Sequence, residues 1–296
     1  MSKDHLRRGN EDQLRAGGPT TEQKLRFEDC ALDGAGIREK NLHLSQFGDC
    51  GFKNAAFEDC AFNHSRFERC YFRKATFNRV SFIGCTFHDC RFDEAQFTDC
   101  QFDYAEFFNC QITYRQLVHT LPPTDNVVRA LARNLRVNSE GRGQTEDYRE
   151  FLMREIRATE NHNFRKAFDW NDAFYRNKYK PADRLAGLAT WLGLRFNGVF
   201  WGHGEVPFRV FISAALVVVF FAWIYARVAD QFSQFSAATS FLDCVGLSAA
   251  AFITTTYGSV IARTVLARGL VTIEGVVGLT MFGFLVAALY RRISRR

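Results

Sequence analysis

Residues 47–67 read FGDCGFKNAAFEDCAFNHSRF, with Phe47, Phe52, Phe57, Phe62 and Phe67 at every fifth place. Stepping backward in fives from Phe47 meets Leu42, Ile37, Leu32 and Phe27. Stepping forward meets Phe at each place to Phe107, then Ile112 and Leu117. A period of five fits neither standard element. On a helix it turns each ring by roughly 140° from the last, and on a strand an odd step sends alternate rings to opposite faces. The backbone must turn a corner every five residues, with the large apolar side chain directed to one shared interior.

Two places before most of these centres sits a small residue, as at Cys30, Ala35, Ser45, Cys50, Ala55 and Cys60, with Lys40, Val80 and Arg115 as exceptions. Steps of twenty sort these places into a cysteine column (Cys30, Cys50, Cys70, Cys90, Cys110) and a mainly alanine column (Ala35, Ala55, Ala75, Ala95). Twenty residues therefore make one coil of four sides. The pattern resembles the pentapeptide-repeat family, which implies a right-handed quadrilateral β-helix over 25–120 with the Phe or Leu and the small residue inward. Nearly five coils would stack to roughly 23 Å, and each buried ring is expected to contribute about 2–3 kcal/mol. Of the nine cysteines, only Cys244 lies outside the small inward places. Zinc needs four thiolates around one point, whereas this column is linear and lacks a C-x-x-C pair, so packing is the expected role. His43, His64 and His88 fall at outward places and read as surface.

The chain has 296 residues and a formal net charge of +6. That excess lies C-terminal to the repeat, in the same part as the long apolar runs, so a membrane surface explains it better than nucleic acid does. Residues 1–24 read as a disordered N-terminus without a secretory signal, which places the repeat in the cytoplasm. After Pro122-Pro123, residues 121–183 read as a helical connector. Val127, Leu131 and Leu135, then Tyr148, Phe151, Leu152 and Ile156, mark an antiparallel helix pair over 125–160, while 161–181 is aromatic, basic and unassigned. Over 184–204, Leu185, Leu188, Leu192, Phe196 and Val199 make an apolar face beside Trp191, Trp201, Arg184 and Arg195. This is either a helix lying in the lipid headgroup layer or an ordinary packed helix.

Residues 205–296 read as a membrane unit, with spans at about 208–228 and 268–290, the second interrupted by Glu274. Between them, Phe241 to Ile261 is too polar to cross alone and must re-enter. Ser240 and Asp243 suggest a capping box opening a short pore helix over 240–252. It leads into Ile253-Thr254-Thr255-Thr256-Tyr257-Gly258-Ser259, where propensity favours extended backbone. Span, short helix, Thr-rich segment with Tyr-Gly and second span together resemble the two-transmembrane potassium-channel-like superfamily. His203-Gly204-Glu205-Val206-Pro207, Glu274-Gly275 with Gly278, and Arg154-Glu155 resemble places in pentapeptide-repeat channels. The resemblance implies an all-α two-span pore domain, a homotetramer, and a selectivity filter of Thr254, Thr255, Thr256, Tyr257 and Gly258 at 253–259. Ser240, Asp243, Ser259 and Glu274 would support it. Thr256 stands where that motif has glycine and Ser259 where it has aspartate, so a rearranged carbonyl ring and altered selectivity are expected. Glu274 is expected to brace the pore helix, with a backbone donor as its first candidate partner. Gly278 serves either as a gating hinge or as a close-packing glycine. Arg291, Arg292, Arg295 and Arg296 after the second span, with Arg184, Arg195 and Arg209 before the first, put both termini in the cytoplasm.

The sequence thus describes a multidomain inner-membrane cation channel that passes K or Na, needs no cofactor or metal, and contacts lipid. Its β-helix would be a sensor, a site for a cytosolic protein partner or an assembly module. Two rival readings are a non-conducting membrane-anchored scaffold and a DNA-mimic topoisomerase inhibitor. No Ser/His/Asp, metal or phosphate-loop constellation points to an enzyme.

Overall fold

The computed structural model describes residues 7–15, 20–202, 207–236 and 238–294. The run at 203–206 and the last two arginines lie outside them. Residues 1–191 and 192–296 form two compact units.

The first unit is a four-sided β-solenoid of about five turns, closed by helices. Its strands are β1 (Arg7–Arg8), β2 (Thr20–Gln23), β3 (Leu25–Glu28), β4 (Gly36–Arg38), β5 (Lys40–His43), β6 (Gln46–Gly48), β7 (Ala56–Glu58), β8 (Arg66–Glu68), β9 (Thr76–Asn78), β10 (Thr86–His88), β11 (Gln96–Thr98) and β12 (Glu106–Phe108). On one side Phe27, Phe47, Phe67, Phe87 and Phe107 pair in parallel register. On another, Ile37, Phe57, Phe77 and Phe97 do so. Beyond the β2–β5 pair, the remaining sides are held by single bridges such as Gly51 to Tyr71 and Ala61 to Ser81. Each partner is twenty residues away, which is the period read from the sequence.

Rings one coil apart stack, as with Phe47 on Phe67 (4.7 Å, 5°) and Phe52 on Phe72 (5.0 Å, 3°). Rings on adjacent sides meet edge to face, as Phe67 meets Phe72 at 5.9 Å. Both arrangements are favoured for aromatic pairs. The corners are made by residues in the left-handed region, among them Asp49 (φ 53°), Asp59 (52°) and Asn109 (52°), and Asp and Asn tolerate that region best after glycine. The small inward places are filled as expected: the Cys50 thiol is buried and donates to the Gly48 carbonyl at 3.2 Å. Lys40 and Val80, exceptions in composition, are nonetheless buried. Arg115 is exposed because the lattice ends before it. α2 (Tyr114–Leu117) replaces a sixth coil, and Leu117 enters the core from a helix rather than from a strand.

Both solenoid ends are closed by side chains acting on backbone groups, which would otherwise present open edges for pairing. Within 1–24, where disorder is expected, residues 7–15 and 20–23 are ordered because the first coil has backbone groups to satisfy. β1 pairs with β3 and β2 with β5. α1 (Glu11–Arg15) buries Leu14, accepts the Ala31 N–H on Glu11 Oε1 at 2.8 Å and donates from Arg15 to the Ala31 carbonyl at 2.5 Å. At the other end α3 (Asp125–Gly141) and α4 (Thr145–Phe168) pack together and contribute Leu131, Leu135 and Phe151 to the solenoid core. Asn134 Oδ1 accepts the Phe107 N–H, and Asn138 both accepts from and donates to the Cys110 backbone at 2.7 and 2.8 Å. The unassigned stretch 161–181 completes α4 and adds α5 (Ala173–Lys178).

α6 (Pro181–Trp201) follows. Arg184 is not at its surface, as the interfacial reading supposed, but buried. It donates to the Asp169 and Tyr175 carbonyls at 3.2 and 3.1 Å and lies 3.8 Å from the Trp170 ring centre. Leu185, Leu192, Phe196 and Val199, by contrast, are each more than half exposed along one stripe. In the second unit α7 (Pro207–Arg227) and α9 (Val265–Ser294) are long and apolar enough to cross a membrane, and α8 (Phe241–Phe252) is the short helix between them.

Candidate functional site

The site is built where α8 ends. Ser240 caps the start of α8, its Oγ accepting the Leu242 N–H at 3.3 Å, while exposed Asp243 sits in the first turn, where negative charge suits the helix dipole. At the other end, Thr254 N–H donates to the Ala251 carbonyl at 3.0 Å and Thr255 N–H to the Ala250 carbonyl at 2.8 Å. This is the double hydrogen bond of a Schellman cap, which needs a left-handed residue after the C-cap, usually glycine. Here Thr254 takes it, with φ 58°.

The extended backbone expected from Ile253 onward is therefore interrupted at Thr254. Thr256, where a rearranged carbonyl ring is expected, does not lie in the positive-φ region, whereas Gly258 does, at φ 55°. Thr254, Thr255 and Thr256 are exposed and Tyr257 is half-buried. The Tyr257 ring lies against Gly246 of α8, where an added Cβ would come within 2.5 Å of it. Ser259 accepts from Gln234 Nε2 at 2.5 Å on its hydroxyl and from Ser233 Oγ at 3.1 Å on its carbonyl. Ser233 Oγ also accepts the Ile261 N–H, and Phe232 bridges Ala262. Sequence reasoning missed this staple between 231–234 and 259–264, because single polar residues in a loop carry no periodic signal.

Glu274 is fully buried and joins three helices. Its Oε2 accepts from Tyr225 Oη of α7 at 2.5 Å, and its Oε1 is hydrogen-bonded to Ser248 Oγ of α8, which also reaches the Val218 carbonyl at 2.8 Å. The partners are side-chain hydroxyls, not the backbone donor expected. Beside it, a Cβ at Gly275 would rest 3.5 Å from the Ala251 carbonyl oxygen, and one at Gly278 would stand 1.9 Å from that of Phe252. The end of α8 is thus seated directly on α9. Among the described residues no group of three or more His, Cys, Asp or Glu is placed to hold a metal.

A family model described as ion channel matches residues 213–295, which contain all three of these helices in whole or in large part. The chain carries an ion-channel domain. Ahead of this channel domain, models of pentapeptide repeats match residues 43–86 (nine copies) and 77–113 (eight copies). Neither family is one of enzymes. No curated protein matches the chain. Among solved structures it is similar to QnrB1, a plasmid-mediated fluoroquinolone resistance protein. One trypsin-treated form is 18% identical, with a TM-score of 0.19, over 31% of this chain and 57% of that one. The full-length form is 12% identical, with a TM-score of 0.13, over 32% of this chain and 79% of that one. The chain thus spans little more than half the length of the first of these.

Proposed function

We propose that the protein is a homotetrameric cation channel of the inner membrane. The observation that carries this is the exposed Thr254–Thr256 stretch at the C-terminal end of a short helix held between two spans. A helix C-terminus carries about half a negative charge and its free carbonyls can replace part of a cation's water shell. A single stretch cannot surround an ion, so four copies around one axis complete the ring. Thr254, Thr255, Thr256, Tyr257 and Gly258 then line the path, and Ser240, Asp243, Ser259 and Glu274 hold it. With a left-handed Thr254 and a threonine hydroxyl lining, the path is expected to pass K and Na with little preference.

The exposed apolar stripe of α6 supports its place in the headgroup layer, and the cytoplasmic termini follow from the arginines at the span ends. The solenoid is read as a module for a cytosolic protein partner, and the chain as a non-enzyme without a cofactor. Purified protein reconstituted in liposomes tests the central reading. Cation flux should appear, with a K/Na permeability ratio within about a factor of ten and a collapse in Thr255→Ala and Thr256→Ala. Intact tetramers that pass no cation would leave the non-conducting scaffold in its place.

A further inference from the structure

We infer that Glu274 is held as the neutral carboxylic acid and positions the pore helix α8 as a hydrogen-bond donor, so that it places no fixed negative charge behind the filter segment. This deepens the channel reading and rests on it. The carboxyl group takes part in a row of three hydrogen-bond contacts. Tyr225 Oη of α7 stands 2.5 Å from its Oε2, Ser248 Oγ of α8 is bonded to its Oε1, and Ser248 Oγ lies 2.8 Å from the Val218 carbonyl oxygen of α7. Each contact brings two oxygens together and needs one hydrogen between them. The tyrosine and serine hydroxyls supply one each, and a backbone carbonyl supplies none. The third hydrogen can come only from the carboxyl group.

The same count fixes the direction of every bond. Between Ser248 and Val218 only the serine can donate. With its hydrogen placed there, Ser248 accepts, so the hydrogen on Glu274 Oε1 fills the second contact and Tyr225 donates to Oε2 in the third. An ionised Glu274 would draw the Ser248 hydrogen to itself and leave the serine and carbonyl oxygens facing each other at 2.8 Å with nothing between them. It would also be a charge without a counter-charge. Among the described residues Glu274 is faced by Tyr225 and Ser248, and by no Lys, Arg or His. An isolated charge in a dry interior is costly.

The chain of donors leaves α7 at Tyr225, passes through α9 and α8, and returns to α7 at Val218, two turns away on the same face. α8 therefore cannot slide against either span without breaking it. Tyr225, Ser248 and Glu274 are each fully buried within one chain, so neighbouring copies in a tetramer leave the count unchanged. Attraction for a cation at the end of α8 then rests on the helix terminus and its carbonyls rather than on Glu274. Glutamine can stand in for the acid, its amide N–H donating to Ser248 and its carbonyl accepting from Tyr225.

The test takes infrared spectra of the full-length protein at neutral pH in dodecyl maltoside, a detergent without ester carbonyls. A carboxylic-acid C=O band is expected that is lost in Glu274→Gln and moves to higher frequency in Ser248→Ala, where the acid has lost its acceptor. Cation flux in liposomes should stay within about twofold of the parent in Glu274→Gln, with the K/Na ratio unchanged, and fall by about tenfold or more in Glu274→Leu, which fills similar space but makes none of the bonds. A side chain that only filled space would be replaced by leucine as well as by glutamine. No acid band, or one that survives Glu274→Gln, overturns the neutral acid. A band indifferent to Ser248→Ala overturns the donation to Ser248. Flux lost in Glu274→Gln as fully as in Glu274→Leu overturns the positioning role of a neutral group. The expected bands from a parent that passes no cation keep the hydrogen on Glu274 and overturn the channel reading.

Discussion

Thr254 holds a backbone conformation that costs a β-branched residue about 1–2 kcal/mol, and it does so because the end of α8 uses both hydrogen bonds of the cap. Replacing it with glycine removes that strain but frees the unfolded chain, at about 0.5–1 kcal/mol. The difference leaves Thr254→Gly more stable than the parent by roughly 0.5 kcal/mol, a small rise in melting temperature by calorimetry. An unchanged or lower value would mean that the threonine methyl or hydroxyl contributes more than its backbone costs. The buried thiols of the solenoid make a second residue-scale prediction. Burial pushes Cys85 up to about 12 and Cys100 up to about 11, from an ordinary 9.0. Above pH 9 the unfolded chain releases these protons while the folded one keeps them, so stability is whole below about pH 9 and is lost progressively up to pH 11–12. At about pH 10 each thiol should subtract about 1 kcal/mol. In the presence of reductant, the β-sheet circular dichroism signal should melt at lower temperature at about pH 10 than at about pH 7.

At the scale of elements, the solenoid was legible almost coil by coil because its period is dictated by what points inward, and nothing downstream competes with that pattern. Its two ends were not legible. Leu117 keeps step with the lattice yet lies on α2, since the five-residue signal is the same whether the last large side chain arrives from a strand or from a helix. The caps rest on Glu11, Arg15, Asn134 and Asn138, single polar side chains whose value depends on which backbone groups they meet. In the channel domain the same division holds. Spans and pore helix were marked by apolar length and a capping serine, while Tyr225 and Ser248, the partners of Glu274, sit forty-nine and twenty-six residues away with no local cue. Asn138 offers the sharpest test of the caps. Asn138→Ala strands both the N–H and the carbonyl of Cys110, at about 1–3 kcal/mol for a buried unsatisfied group. Amide exchange at Cys110 should accelerate at least tenfold while that at Phe67, mid-solenoid, holds. Equal acceleration along the whole solenoid would show that the end is not an independent cap.

At the scale of the molecule, the closed ends decide what the solenoid can contribute to assembly. A parallel solenoid joins another copy most simply by continuing its hydrogen-bond ladder from an open end. Here the first coil presents Ala31 to α1, and the last coil presents Phe107 and Cys110 to α3, so end-to-end stacking would require displacing packed helices. The second unit, in contrast, exposes Thr254–Thr256 and the apolar faces of two long helices, surfaces that four copies in lipid would cover. Assembly should therefore reside in the second unit. A chain lacking the first unit, residues 1–191, is expected to run as four copies by native mass spectrometry from detergent, with cation flux within a few-fold of the full chain in the absence of any partner. Were the shortened chain to appear as single copies while the full chain is fourfold, the first unit would be the assembly module after all, and its contact would have to be sought on its sides.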